Sequence, residues 1–175
     1  MTTPQKLLIV VEDQTDANIL RVILGDELKS KTRFFSGHGK MGLPTIGRNL
    51  LVHEGGPVLV VMDSDTLSTE QSEEEEALAS YALASIASGA IFGVFTFKPE
   101  IDAVFFETPR VLERLLGKPI LPETVREGLL IPKQTVEKLL HEAGPRRDYL
   151  SFVSKIDPET GAELAKGEQA AALIE

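Results

Sequence analysis

Acidic side chains follow three apolar stretches of the sequence, at the points where buried strands are expected to end. These acids are Glu12, Asp13, Asp16, Asp63, Asp65, Glu100 and Asp102. Carboxylates held close together repel one another, and a bound cation is the usual remedy. Oxygen ligands without histidine or cysteine favour Mg²⁺ or Mn²⁺, and such an ion offsets negative charge on a substrate and orients an attacking water.

Each of these acids also has a purely structural interpretation. Asp16 could cap a helix, Asp65 could belong to a turn, and Glu100 could open a helix after Pro99. Acids at three separate strand ends, with no base between them, are harder to explain in this way, so we favour a metal site. The predicted metal ligands are Glu12, Asp16, Asp63, Asp65 and Glu100.

The elements that must position these acids alternate between strands and helices. Short apolar runs rich in branched side chains predict strands over 6–11, 32–37, 57–63 and 90–97. Helical spacing fills the intervals, and the first helix is predicted to be capped by Thr15 or Asp16 and to run to about Leu28. The sequence therefore predicts an α/β fold with a mainly parallel, four-stranded, Rossmann-like sheet flanked by helices.

The strand pattern ends at about residue 99, and segments punctuated by Pro and Gly then predict short helices. We therefore expect an α/β domain over 1–105 and a helical C-terminal extension over 106–175 that packs on it. Open parallel sheets bind ligands at the carboxyl ends of their strands. The ends of the first, third and fourth strands are therefore expected to lie side by side.

The composition excludes several kinds of site. The chain has no cysteine, which excludes disulfides, thiolate chemistry and cysteine-ligated zinc, and its three histidines show no ligand spacing. Acidic residues outnumber basic ones by 27 to 18, and the net charge of −9 argues against broad adhesion to nucleic acid or to an anionic membrane. With no signal-peptide or membrane-spanning pattern, we expect a cytoplasmic protein without membrane contact. The sequence does not indicate an oligomeric state.

The segments "VVEDQTD" and "VLVVMDSD" together resemble the TOPRIM domain of topoisomerases, primases and overcoming-lysogenization-defect (OLD-type) nucleases, over residues 6–105. That family carries a glutamate after its first strand and a D-x-D motif after its third, and these bind Mg²⁺ for phosphoryl transfer on nucleic acid. Glu12 stands at the position of the glutamate, and Asp63 and Asp65 stand at the D-x-D motif. The family usually has glycine after the glutamate, where this chain has Asp13.

Two further acids match the nuclease branch of that family. Asp16 corresponds to the second acid of its E-x-x-x-D pattern, and Glu100 resembles a further acid there. The resemblance implies a TOPRIM-like fold and a small Mg²⁺- or Mn²⁺-dependent nuclease that acts on DNA or RNA. OLD-type systems pair this domain with an ATPase, so an ATPase partner protein is expected as well.

Other residues receive secondary roles under this interpretation. Glu12 could alternatively serve as a general acid or base, and Lys98, the base nearest the acids in sequence, is the candidate for neutralising the leaving oxygen. His38 and Lys40 are weak candidates for substrate phosphate contacts, and Arg146 with Arg147 forms a weak candidate basic patch.

Neither tyrosine of the chain lies near the acids in sequence. Tyr81 falls within a predicted helix and Tyr149 falls in the helical C-terminal part. A topoisomerase needs a tyrosine that attacks the phosphodiester. Hydrolysis is therefore favoured over topoisomerase chemistry.

Two other classes of protein remain as alternatives. The first strand and its acids also resemble a receiver domain, in which Asp63 would accept a phosphoryl group and Lys98-Pro99 would match a conserved lysine–proline pair. A receiver needs two strands and an intervening helix between those positions, whereas this chain has room for one helix and one strand. The third possibility is an inactive TOPRIM-like scaffold.

Overall fold

A four-stranded parallel sheet forms the centre of the protein in the computed structural model, which describes residues 5–87, 89–144 and 148–175. Its strands are β1 (Leu7–Val11), β2 (Thr32–Ser36), β3 (Val58–Asp63) and β4 (Phe92–Phe97), in the order β2-β1-β3-β4. Both faces of the sheet are covered by helices, which is why the central strands β1 and β3 are largely continuous apolar runs. The predicted α/β fold and the four predicted strands are confirmed.

Helices connect the strands and make up the C-terminal part. The connecting helices are α1 (Gln14–Ile23), α2 (Gly25–Ser30), α3 (Leu43–His53) and α4 (Thr69–Ala84). The C-terminal helices are α5 (Val104–Glu107), α6 (Pro109–Leu116), α7 (Pro122–Leu130), α8 (Pro132–Glu142), α9 (Tyr149–Ser154), α10 (Pro158–Leu164) and α11 (Glu168–Ile174). Short 3₁₀ turns at Lys40–Gly42 and Ile101–Ala103 precede α3 and α5. None of the helices described here is long and apolar enough to cross a membrane.

Alternate strand residues enter two separate cores. Val10 and Val60 face α3 and α4, where they pack with Leu50 and Leu83. The residues on the opposite face, such as Ile9, pack with α1 and with the C-terminal helices in one larger cluster. The helical C-terminal part therefore forms the third layer of the protein, directly against the sheet.

The start of α1 differs from the prediction. Asp13, not Thr15 or Asp16, caps this helix, because its Oδ1 accepts the N–H groups of Thr15 at 2.6 Å and of Asp16 at 3.1 Å. The Asp16 carboxylate accepts the N–H of Asp13 at 3.2 Å in return, which completes a capping box. The predicted single helix also ends early: Gly25, with φ of 66°, separates α1 from α2, because a right-handed helix cannot pass through that conformation.

The strand order fixes where the acids lie. Strands β1, β3 and β4 are consecutive neighbours, so their carboxyl ends are side by side, as predicted. The chain leaves β1 for β2 on one side and then crosses back to β3 on the other side. The crevice between the ends of β1 and β3 is therefore a topological switch point, the usual ligand site of an open parallel sheet.

Candidate metal centre

Two hydrogen bonds from backbone N–H groups to carboxylates link the ends of β1, β3 and β4. Glu12 follows β1, and its Oε1 accepts the N–H of Asp63 at 3.2 Å. Asp63 ends β3, and its Oδ1 accepts the N–H of Ile101, beyond β4, at 2.8 Å. Burial is the main reason that the pKa of each carboxyl group is raised. Repulsion from Asp65 and Asp13 raises the pKa of Glu12 further, and repulsion from Asp16, Glu12 and Asp102 raises that of Asp63.

Asp16 reaches the same edge of the sheet from the first turn of α1. Burial is the main reason that its pKa rises to about 7, and the charges of Asp13 and Glu12 raise it further. The hydrogen bond from the N–H of Asp13 acts in the opposite direction but does not compensate. The surroundings of Asp16 therefore disfavour its charged form. The charge of Asp16 in turn raises the pKa of Asp63.

Asp102 is a further member of this acidic cluster, one to which the sequence assigned no role. Its side chain is only 4% exposed, and burial raises its pKa to about 8. The hydroxyl of Tyr149, in α9, donates a hydrogen bond to its Oδ1. Tyr149 is distant from the acids in sequence but lies beside Asp102 in the fold, because packing of the C-terminal helices returns α9 to the sheet edge. The hydroxyl of Tyr149 is already engaged by Asp102.

Lys133 supplies a cation on the side of the cluster formed by the C-terminal helices. It stands in the first turn of α8, and its N–H donates to the Oε2 of Glu100 at 3.1 Å. Burial lowers the pKa of the Lys133 ammonium, but the charges of the surrounding acids outweigh this effect and raise its pKa overall. Those acids are Asp102, Asp13, Asp16 and Glu100. No sequence motif marks Lys133, which lies 31 residues beyond Asp102 in the chain.

Lys40 supplies a second cation on the opposite side of the cluster. Its Nζ lies 3.1 Å from Asp65 Oδ2 and 2.8 Å from Glu75 Oε2, and it donates to the carbonyl of Ser64 at 3.3 Å. Asp65 adopts a left-handed conformation with φ of 57°, so the extended geometry that would align it with Asp63 is absent. Asp65 instead pairs with Lys40, although its charge still raises the pKa of Glu12.

The remaining residues that the sequence indicated for the site lie outside this cluster or outside the described residues. Lys98 is held through its backbone by Gln169, and its side chain lines a groove beside Glu107. Among the described contacts, no hydrogen bond or ion pair joins Lys98 to the acids. His38 is exposed, with φ of 53°, and contacts Ser36 through its backbone. Arg146 and Arg147 are outside the described residues.

The donor chemistry of the cluster fits a hard divalent cation. Its candidate ligand atoms are carboxylate oxygens, the donors that Mg²⁺ and Mn²⁺ prefer. Burial, followed by repulsion between neighbouring acids, raises the pKa values of Asp16, Asp63 and Asp102, and a bound cation would favour their charged forms. As oriented, no three His, Cys, Asp or Glu side chains in the described ranges are gathered closely enough to hold an ion. Ion binding would therefore require carboxylates to exchange their hydrogen bonds to backbone N–H groups for the ion.

Replacing Lys133 with Gln should destabilise the protein in metal-free buffer. The free energy of unfolding at pH 8 should fall by about 1 kcal/mol, because the surrounding acids lose the cation that offsets their repulsion. Lys138→Gln is the matched control on the same helix, since Lys138 forms an exposed pair with Glu127, and we expect a change within about 0.5 kcal/mol. Urea denaturation measures both, and equal effects would contradict the role given to Lys133.

Comparisons with known proteins add little to this geometry. No protein-family model matches the chain, and no curated protein matches it either. Among solved structures, it is similar to the C-terminal region of the Xanthomonas campestris pv. campestris OLD protein, with 12% identity, coverage of 100% of both chains and a TM-score of 0.46. At this identity and TM-score, the likeness assigns neither a family nor an activity.

Proposed function

We propose that this chain is a Mg²⁺- or Mn²⁺-dependent phosphodiester hydrolase that acts on nucleic acid, with a TOPRIM-like arrangement of acids. One observation carries the proposal: at the switch point of a parallel sheet, the carboxylate of Glu12 after β1 is hydrogen-bonded to the backbone of Asp63 at the end of β3, and the carboxylate of Asp63 is hydrogen-bonded to the backbone beyond β4. The resemblance of "VVEDQTD" and "VLVVMDSD" to TOPRIM motifs supports the same chemistry.

The acids would divide between the two sides of the switch point. In this proposal Asp63 would hold the ion from β3, and Glu12 or Asp16 would hold it from the side of β1. Glu100, or Asp65 after release from Lys40, would complete the shell. When bound, a divalent cation supplies charge stabilisation for the phosphoryl oxygens and lowers the pKa of a bound water. An ion at this position would also favour the charged form of Asp63, whose pKa is raised by burial and then by the charges of Asp16, Glu12 and Asp102.

The protein's own groups would handle the proton and the leaving group. A water oxygen forms the new bond to phosphorus as the phosphodiester P–O bond breaks, and Glu12, whose pKa is raised by burial, accepts the proton of that water. Lys133 then neutralises the charge on the leaving oxygen, in place of Lys98, because Lys133 lies among the acids and Lys98 lines a different groove. Tyr149 would position Asp102 through its hydrogen bond.

The receiver alternative fits the chain less well. Between Asp63 and Lys98 the described chain contains only α4 and β4, where a receiver needs a further strand and helix. In a receiver, Asp63 would be the phosphoacceptor, but its Oδ1 already accepts the N–H of Ile101. We therefore favour the hydrolase. The net charge of −9 provides little electrostatic affinity for DNA or RNA, so in this proposal a partner, such as the ATPase that the resemblance to OLD-type nucleases implies, contributes that affinity.

Incubation with supercoiled plasmid DNA and with single-stranded RNA tests the proposal. We expect nicking or cleavage of at least one substrate in millimolar Mn²⁺ or Mg²⁺, and none in excess EDTA. Treatment with acetyl phosphate, followed by intact-mass analysis, should give no mass increase. A phosphoryl group on Asp63 would contradict the hydrolase proposal and favour a receiver. Cleavage that persists in EDTA would contradict the role of the metal.

A further inference from the structure

One side chain of α11 holds the backbone just beyond β4. The amide of Gln169 accepts the N–H of Lys98 at 2.6 Å and donates to the C=O of the same residue at 2.9 Å. A single side chain therefore supplies partners for both backbone groups of Lys98. The two residues are 71 positions apart in the chain, so the fold, and not the local sequence, creates this contact.

Glu107, at the end of α5, fixes the orientation of that amide. Its Oε1 accepts the side-chain N–H of Gln169 at 2.9 Å, and its Oε2 accepts the backbone N–H of Gln169 at 3.1 Å. A Cβ at Gly167 would lie 2.7 Å from Glu107 Oε2, so the carboxylate fits closely against a residue without a side chain. Because the Gln169 Nε2 group donates to both Glu107 and Lys98, the amide oxygen is left to accept the N–H of Lys98.

Residues 98–101, which we call the 98–101 segment, lead directly into the acidic cluster. The carbonyl of Pro99 accepts the N–H of Asp65 at 2.9 Å, and the last N–H of the segment donates to Asp63 Oδ1 at 2.8 Å. The segment also carries Glu100, a candidate metal ligand. The backbone that Gln169 holds therefore contacts both acids of the D-x-D motif and presents a third acid.

We propose that Gln169 is a positioning residue of the metal centre, which acts through the 98–101 segment and does not touch the ion. With Lys98 fixed, the segment leaves β4 in one direction, and Glu100 keeps its place relative to Asp63. Ligands that are held in place before the ion arrives bind it more tightly, because less conformational freedom is lost on binding. This inference rests on the proposed function, since it assigns Gln169 a role in the metal site proposed there.

Gln169→Met tests this role, because it keeps the length of the side chain and removes its hydrogen bonds. Electron paramagnetic resonance of free Mn²⁺ during a titration should show at least about tenfold weaker binding than to the wild type, as is usual when a residue that orients metal ligands is lost. Thr160→Val is the matched control, since it removes the hydroxyl that accepts from Arg114 at 3.1 Å within the C-terminal helices. The control should bind Mn²⁺ within about twofold of the wild type.

Amide hydrogen exchange in EDTA supplies a measurement that needs no metal. In Gln169→Met, the N–H groups of Lys98 and Ile101 should exchange at least about tenfold faster than in the wild type, because Gln169 no longer fixes the segment that contains both. In Thr160→Val the same two groups should exchange as in the wild type. The melting temperatures of both variants should fall by about 2–4 °C, so a general loss of stability would not distinguish them.

A second variant keeps the test decisive if Gln169→Met does not fold. Gln169→Ala also removes the amide but lets water reach the backbone of Lys98, and it should weaken Mn²⁺ binding by at least about tenfold as well. Equal Mn²⁺ affinity of the wild type and the folded variant would overturn this inference and leave the proposed metal centre intact. A wild type that binds no Mn²⁺ would overturn both.

Discussion

Replacing Asp63 with Asn will reduce the rate of Mn²⁺-dependent strand cleavage on the order of 100-fold or more. The amide oxygen of Asn can still accept the N–H of Ile101, so the strand end keeps its backbone geometry. What is lost is one negative charge beside Glu12 and Asp16. The metal-free variant should therefore be at least as stable as the wild type, because a buried and repelled charge has been removed.

The same variant should also lose the thermal response to metal. Mn²⁺ binds the folded wild type and should raise its melting temperature, whereas Asp63→Asn should shift little across the same concentrations. Asp26→Asn is the matched control, since Asp26 lies on α2 in an exposed pair with Lys29. Cleavage by Asp63→Asn within about threefold of the wild-type rate would show that Asp63 is not a metal ligand.

Metal-free protein will lose stability as the pH rises from 5 to 9. The pKa values of Asp16 and Asp102 are about 7 and about 8 in the folded state, above the ordinary value of 3.8. The folded protein therefore binds protons more tightly than the unfolded chain, and this contribution to stability is complete only below the unfolded pKa. It is lost as the pH rises through 7 and 8, and the decrease in unfolding free energy should be on the order of a few kcal/mol.

Urea denaturation in EDTA at several pH values measures this decrease. Asp102→Asn should flatten the curve at its alkaline end, because the variant has no proton to release there. Saturating Mg²⁺ should restore stability at pH 9, since the ion binds the deprotonated acids of the folded state. A free energy of unfolding that increases from pH 5 to pH 9 in EDTA would contradict the raised pKa values of Asp16 and Asp102.

The sheet was predictable because its strands are buried on both faces. The central strands β1 and β3 are continuous apolar runs, whereas the edge strands β2 (TRFFS) and β4 (FGVFTF) include polar residues or glycine and give a weaker signal. Acids at strand ends could likewise be assigned to one edge, because parallel strands place their carboxyl ends together. Glu12 and Asp63 are linked there by a hydrogen bond.

Local conformation was harder to predict. Asp13 and Asp16 can both cap α1, and only the backbone geometry selects Asp13. Asp65 was expected to extend alongside Asp63, but it turns in a left-handed conformation towards Lys40, which approaches from the loop after β2. An ion pair between residues 25 positions apart leaves no periodic pattern in the sequence.

The contributions of the C-terminal helices could not be predicted. Lys133 and Tyr149 reach the cluster because apolar faces of α8 and α9 pack on the sheet layer. Apolar faces show that a helix packs, but they do not show against what. Lys98 was chosen from its closeness in sequence to Glu100, yet its side chain lines a groove with Glu107.

A crystal structure of the protein grown with Mn²⁺ tests the central claim most directly, because anomalous scattering locates the ion independently of any assay. We predict an anomalous peak at the carboxyl ends of β1 and β3, within about 2.0–2.3 Å of oxygens from Asp63 and from Glu12 or Asp16. Asp65 or Glu100 should supply a further ligand. An empty acidic cluster at saturating Mn²⁺, or an ion bound only elsewhere on the protein, would contradict the account.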